Sequence, residues 1–167
     1  IGYPIMGNTT VSQQRMVALY KSKNVAYPSS IYASRGAPTI ESFVSILCAQ
    51  AAKEGVRAEV VFCQAMHETG WLQFKGDVKA EQCNFAGLGA TGGGEPGNVF
   101  PDVATGLLAQ VQHLKCYAST DPLNYDCVDQ RWNESLRGVA PTVNQLGGKW
   151  ATDRNYGTRI INLIHSL

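Results

Sequence analysis

The sequence lacks long apolar runs and has almost no net charge. None of its 167 residues belongs to a run of the ~20 apolar residues that a membrane-spanning helix needs, so membrane insertion is not expected. A formal net charge of +1 disfavours long-range attraction to nucleic acid or to an acidic membrane. With 44% hydrophobic and 16% charged residues, the composition excludes a disordered chain and favours one globular domain with its own core.

Cysteine is present, but not in a metal-binding or disulfide-rich pattern. There are five cysteines, an odd number without a C-x-x-C pair, which disfavours a zinc ribbon or a dense disulfide framework. Cys48 and Cys63 lie in apolar helical runs and are expected to be buried. Cys116 and Cys127 flank a loop, and the sequence leaves open whether they form a disulfide.

Several catalytic and cofactor motifs are incomplete. His67-Glu68 lacks the second histidine of the H-E-x-x-H motif, which excludes a zinc protease of that type. No elbow motif supports a serine or cysteine triad. The run from Gly87 to Gly92 matches G-x-G-x-x-G, but no apolar strand precedes it and more glycines follow where a helix should begin. We therefore predict a flexible glycine loop, with neither a metal nor a cofactor.

Helical periodicity is what the chain does have, and it predicts an α+β, mostly α domain over residues 10–167. Apolar spacing and capping residues place helix starts at Thr10, Thr39, Arg57 or Ala58, Asp102, Pro141, and Thr152 or Asp153. Residues 27–38 and 119–140 are predicted to be loops. Residues 1–9 have no period and are expected to be a linker or tail. Because the chain opens on Ile1 without a methionine, we expect a processed form or an excised domain.

Residues from about 70 to 101 depart from the helical pattern. Glycines, charged residues and amides are frequent there, and no helical period survives. We predict that this stretch forms a small irregular or β lobe beside the helical body.

Glu68 is the strongest catalytic candidate. It lies in the last turn of an almost wholly apolar helix that should end at Gly70, and helical spacing puts it on the same face as Val61 and Ala65. Burial and the negative end of the helix dipole both disfavour its ionised form, so its pKa should be raised. A carboxylic acid held protonated beside Trp71 is typical of the general acid of a glycosidase. A solvent-facing glutamate at a helix end is the alternative.

Three segments in order resemble the glucosaminidase family of bacterial peptidoglycan hydrolases, glycoside hydrolase family 73. They are Ala65-Met66-His67-Glu68-Thr69-Gly70-Trp71, then Asn84-Phe85-Ala86-Gly87-Leu88-Gly89, and Trp150-Ala151-Thr152-Asp153 followed by Tyr156 and Ile160. The resemblance covers roughly residues 39–167. It implies a lysozyme-like fold and hydrolysis of the GlcNAc-β-1,4-MurNAc bond, with Glu68 as general acid and Tyr156 at the family's recurring active-site tyrosine.

The remaining site residues are assigned less directly. Glu95 and Asp102 are the candidates for a second carboxylate, with Asp102 also explained as a helix cap. Attack by the substrate's own acetamido oxygen is favoured over such a base, so retention is expected and inversion is the alternative. Sugar contacts are predicted for these aromatic and polar residues: Trp71, Asn84, Phe85, Gln112, His113 and Trp150.

The sequence thus predicts an endo-β-N-acetylglucosaminidase, an autolysin or lysin domain acting on peptidoglycan strands as a monomer. We expect it to work outside the cell or in the cell wall. A muramidase, a lytic transglycosylase and a non-catalytic peptidoglycan-binding domain are the alternatives.

Overall fold

The computed structural model describes residues 2–167, which fold into a mostly helical body. The α-helices are α1 (Gln13–Ser22), α2 (Ser29–Tyr32), α3 (Ile40–Glu54), α4 (Ala58–Thr69), α5 (Val103–Ala118) and α6 (Tyr156–His165). Short 3₁₀ turns occur at Ala33–Arg35, Ala80–Gln82, Glu134–Leu136 and Val143–Leu146. Over the described range, β pairing is confined to isolated bridges. The mostly α prediction is confirmed, and the β character suggested for the lobe is not seen.

Local signals set the ends of the central helices as predicted. The hydroxyl of Thr39 accepts from the backbone N–H of Ser42, whose side chain returns the bond, so a capping box starts α3. Gly55 and Gly70 end α3 and α4 in the left-handed conformation. The Asp102 carboxylate accepts from the N–H of Thr105 and caps α5.

Two buried helices, α4 and α5, form the centre of the body. Every residue of α4 is buried except His67 and Glu68, and every residue of α5 except Ala104 and Thr105. Helix α4 packs against α3 and α6, and α3 packs against α5. The sequence singled out only α4, because the buried face of α5 carries polar side chains that resemble a solvent face.

The lobe formed by residues 70–101 is irregular. It contains one 3₁₀ turn and is held together by side-chain amides. The Gln82 amide nitrogen donates to the carbonyls of Pro96 and Asn98, and a tight glycine contact joins the lobe to α5. A Cβ at Gly106 would lie 1.8 Å from the carbonyl oxygen of Cys83. No substituent fits there, so the lobe sits directly on the helix backbone.

Residues 2–9, predicted to be a linker or tail, pack on the body. Ile5 is fully buried, and its backbone bonds to Pro141 and Arg57. The Tyr3 hydroxyl donates to the buried carboxylate of Glu59 at 2.6 Å. Apolar periodicity does not reveal this segment, because single side chains hold it in place rather than a regularly spaced apolar face. Ile1, part of the predicted tail, lies outside the described residues.

Two predicted helix caps are displaced, and one helix was missed. Ser12, not Thr10, caps α1, since the Thr10 hydroxyl donates to Glu59 instead. Helix α6 starts at Tyr156 rather than at Thr152 or Asp153, and the Asp153 carboxylate binds Arg159 and the N–H of Asn155. The single turn α2 lies inside the predicted loop 27–38.

Residues 119–140 form the predicted loop with one 3₁₀ turn, and a buried ion pair holds it. Lys115 donates to Glu54 at 3.0 Å, and Glu54 also accepts from the backbone of Asn124 and Tyr125. Cys116 and Cys127 are free thiols. No helix within residues 2–167 combines the length and apolarity needed to cross a membrane.

Candidate active site

Glu68 opens onto a large cleft. The cleft has a volume of about 1060 Å³ and runs between the end of α4, the lobe and residues 150–152. Glu68, Thr69 and Gly70 form its floor, while Asn84, Ala86 and Gly87 belong to the lobe side. The cleft therefore lies between the helical body and the lobe.

Partial burial makes the Glu68 carboxyl group a weaker acid than an exposed glutamate. It raises the pKa of Glu68 from the usual 4.5 to about 6, and the hydrogen bond from Tyr156 opposes part of that rise. A carboxyl group with this pKa is substantially protonated near pH 6 and can donate a proton to a substrate.

Tyr156 is fixed against Glu68 by a chain of buried amides. Its hydroxyl donates to Oε2 of Glu68 at 2.6 Å and accepts from Nε2 of Gln64 at 3.0 Å. Gln110 donates to Oε1 of Gln64 at 2.9 Å and to the carbonyl of Val61. Burial and the neighbouring carboxylate raise the pKa of Tyr156 well above its usual value, so the hydroxyl stays protonated and donates. Sequence reasoning missed Gln64 and Gln110, which carry no pattern beyond polar residues in apolar helices.

The chain leaves α4 through an unusual left-handed turn. Trp71, Leu72 and Phe74 have φ values of 61°, 64° and 51°, a region that bulky residues rarely adopt. Thr69 supports the turn, because its hydroxyl donates to the carbonyl of Ala65 and accepts from the N–H of Leu72. Such strain costs of order 1–3 kcal/mol per residue and persists only where the surroundings fix it. The turn holds the helix end, and therefore Glu68, at the cleft floor.

The segment 84–88 approaches the Glu68 carboxyl group at Gly87. Gly87 has a φ of +65°, and a Cβ there would lie 2.9 Å from Oε1 of Glu68. The Asn84 side chain binds both the N–H and the carbonyl of Leu88. Asn84 lines the cleft but uses its amide to shape this segment, which accounts for its position in the predicted motif.

The other predicted sugar-contact residues are not all in the cleft. Trp150 lines it, packed edge to face against His113 with ring centroids 4.8 Å apart. Phe85 is fully buried in the core, and Trp71 packs against Phe62 and Tyr20. Gln112 is buried and binds the backbone of Asp126 and Val128.

The predicted second carboxylates lie outside the cleft lining, and a third acid lies inside it. Asp102 is occupied as the cap of α5, and Glu95 lies in the exposed glycine loop. Asp77 lines the cleft, and its carboxylate accepts from the N–H of Gly94 at 3.2 Å. Within the described chain, Glu68 and Asp77 are the carboxylates of this cleft. Sequence reasoning missed Asp77, since no local pattern places a lobe residue opposite a helix end.

Within residues 2–167, no group of three or more histidine, cysteine, aspartate or glutamate side chains is placed to hold a metal ion.

Parts of the chain are similar to known proteins. A protein-family model described as glucosaminidase, mannosyl-glycoprotein endo-beta-N-acetylglucosaminidase, matches residues 45–167. An uncharacterized protein of Borreliella burgdorferi is 40% identical over 114 residues, which is 68% of this chain and 56% of that protein. The chain thus spans little more than half the length of this relative. No solved structure matches the chain.

Proposed function

Because the chain belongs to the glucosaminidase family, we propose that it is a glycoside hydrolase that cleaves the GlcNAc-β-1,4-MurNAc bond of peptidoglycan. The observation that carries the proposal is the position of Glu68, a half-buried acid with a pKa of about 6 on the floor of an open cleft. The match of residues 45–167 includes Glu68, Tyr156 and the cleft wall at 150–152.

In the first step Glu68 donates its proton to the glycosidic oxygen as the bond to the anomeric carbon breaks. The leaving group is then the 4-hydroxyl of the next sugar, and positive charge develops on the GlcNAc ring. The Tyr156 hydroxyl, which donates to Oε2, stabilises the carboxylate that remains. Gln64 and Gln110 hold that hydroxyl in place as positioning residues.

For the second step we propose attack by the acetamido oxygen of the same GlcNAc, followed by hydrolysis of the cyclic intermediate. This route gives retention and needs no enzyme nucleophile. Glu95 and Asp102, the bases suggested by the sequence, do not line the cleft. Asp77 does, so it is the base of the competing route, in which it activates water and the product is inverted.

Sugar binding follows from the cleft walls. Trp150 offers an aromatic surface at one wall, and the lobe offers backbone groups of residues 84–92 at the other. A helical body with a smaller lobe across a cleft fits the lysozyme-like architecture implied by the resemblance. A peptidoglycan substrate further implies action in the cell wall or outside the cell.

Product analysis on purified peptidoglycan tests the bond assignment. New reducing ends should be N-acetylglucosamine. Reducing-end muramic acid would indicate a muramidase, and an anhydro product would indicate a lytic transglycosylase. Binding to peptidoglycan without any product would indicate a non-catalytic peptidoglycan-binding domain.

Glu68→Gln tests the acid. The amide preserves size and the bond from Tyr156 but has no acidic proton, so activity should fall at least ~100-fold. Circular dichroism and thermal unfolding of the variant serve as the control for folding. A folded variant with near wild-type activity would remove Glu68 from the mechanism.

The anomeric configuration of the first product separates the two routes. NMR spectroscopy of the first product measures this configuration, and we expect retention. Inversion, together with a large loss of activity in Asp77→Asn or Glu95→Gln, would replace the acetamido group with a carboxylate base.

A further inference from the structure

A second, smaller pocket opens from the same cleft wall and is lined by cations. Its volume is about 200 Å³, and it shares Ala86, Gly87, Ala90, Thr91 and Trp150 with the main cleft. Its own walls add Arg131 and Lys149, with His113 and Tyr117.

The two cations of the pocket, Arg131 and Lys149, are not paired with a carboxylate of the described residues. Arg131 and Lys149 make no side-chain ion pair within residues 2–167. The nearby carboxylate of Asp129 is buried, and both its oxygens are occupied, one by His113 Nδ1 at 2.7 Å and one by the N–H of Arg131 at 2.9 Å. Cations that open onto a concave site without partners favour an anionic ligand.

We propose that this pocket binds a carboxylate of the peptide attached to the glycan strand, on the sugar next to the bond that is cut. The inference rests on the proposed function, because that bond ends at the 4-oxygen of MurNAc, and the peptide hangs from the neighbouring 3-oxygen. The pocket begins at Gly87, which lies against Glu68. A peptide that leaves the sugar beside Gly87 therefore enters the pocket that Arg131 and Lys149 line.

The consequence is substrate selection by the peptide as well as by the sugars. Arg131 and Lys149 are exposed, and exposed ion pairs are weakened by solvent. Losing both cations should therefore reduce the preference for peptide-bearing over peptide-free glycan by roughly tenfold in kcat/KM, which corresponds to ~1.4 kcal/mol.

The test compares Arg131→Gln/Lys149→Gln with wild type on peptidoglycan that is intact or stripped of peptides by an amidase. The matched control is Arg15→Gln/Lys21→Gln, which removes the same charge from α1, a helix that lines neither cavity. Wild type and control should prefer the intact material, and the pocket variant should lose that preference. An unchanged preference in the pocket variant would overturn the proposal.

A binding measurement separates this proposal from the proposed activity. In the Glu68→Gln background, calorimetry with soluble glycan fragments should show tighter binding of peptide-bearing than of peptide-free fragments, and the pocket substitutions should abolish the difference. That readout does not depend on cleavage. If the preference disappeared on removing phosphate polymers from the wall with hydrofluoric acid, rather than on removing peptides, the peptide assignment would be wrong.

Discussion

At the scale of single residues, burial of Glu68 couples the proposed chemistry to stability. The native carboxyl group has a pKa of about 6 against the usual 4.5, so the folded state binds its proton more tightly than the unfolded state does. Stability from this group should therefore fall as pH rises from about 4.5 to about 6. Above that window the ionised carboxylate costs roughly 2 kcal/mol of folding free energy.

Glu68→Gln should remove that pH dependence. An amide does not ionise, so the variant should gain stability relative to wild type by roughly 2 kcal/mol between pH 4 and pH 8. Urea unfolding of both proteins at the two pH values measures this, and comparing only the change with pH cancels the effect of the amide itself. A difference that stayed constant with pH would mean that burial does not hold the proton on Glu68.

Tyr156→Phe should shift the pH range of activity upward. The hydrogen bond from Tyr156 favours the ionised form of Glu68, so its loss raises the pKa of the acid further. The alkaline limb of kcat/KM should move to higher pH. Tyr125→Phe, on an exposed loop residue, is the control and should leave the limb in place. A limb that moved to lower pH would contradict this account of the contact.

At the scale of elements, helix ends were predictable only where their partners are local. Thr39 and Asp102 cap with N–H groups three residues away, which a sequence pattern can show. Thr10 has the same chemistry, but its hydroxyl is taken by Glu59, 49 residues away. Asp153 has a nearby partner, but it is the Arg159 side chain six residues on rather than a backbone N–H, and a capping pattern does not show such a pairing.

The same difference between local and distant contacts decides which residues of the candidate site could be predicted. Glu68 and Tyr156 lie at helix termini and could be identified from helix position and a family motif. Asp77, Gln64 and the cation pocket depend on how the lobe and α5 meet α4. No spacing in the sequence expresses that arrangement.

Gln64→Leu should disturb the junction of α4, α5 and α6. It leaves the Gln110 amide and the Tyr156 hydroxyl short of a partner, which costs ~1–3 kcal/mol of stability. Loss of the bond that fixes Tyr156 should also lower kcat more than it changes KM. Gln50→Leu is the matched control, since Gln50 is also buried and its amide donates to the carbonyl of Ala104 on α5. The Gln50→Leu variant should lose a similar amount of stability while its kcat stays unchanged. If both variants lowered kcat equally, Gln64 would contribute to packing only and would not position Tyr156.

At the scale of the whole molecule, residues 2–9 connect parts that are distant in sequence. Pro4 pairs with Thr142 and Met6 with Val56, while Tyr3 and Thr10 donate to the buried carboxylate of Glu59 at the start of α4. A buried carboxylate is tolerated only when its hydrogen bonds are made.

Tyr3→Phe/Thr10→Val should therefore destabilise the protein by about 2–4 kcal/mol, because both hydroxyl donors to Glu59 are removed. Adding Glu59→Gln should restore part of the loss, since an amide is less costly to bury than a carboxylate. Denaturant unfolding of the wild type, double and triple variants measures this. A double variant as stable as wild type would support the tail that the sequence suggested.

The bond between Tyr156 and Glu68 joins residues 88 positions apart, and this separation sets an order of events during synthesis. The acid leaves the ribosome several seconds before the tyrosine, at the ~5–20 residues per second of translation. Until α6 emerges and docks, the carboxyl group has neither its hydroxyl partner nor the wall at 150–152. A nascent chain is thus expected to be inactive towards glycans until α6 has emerged and docked.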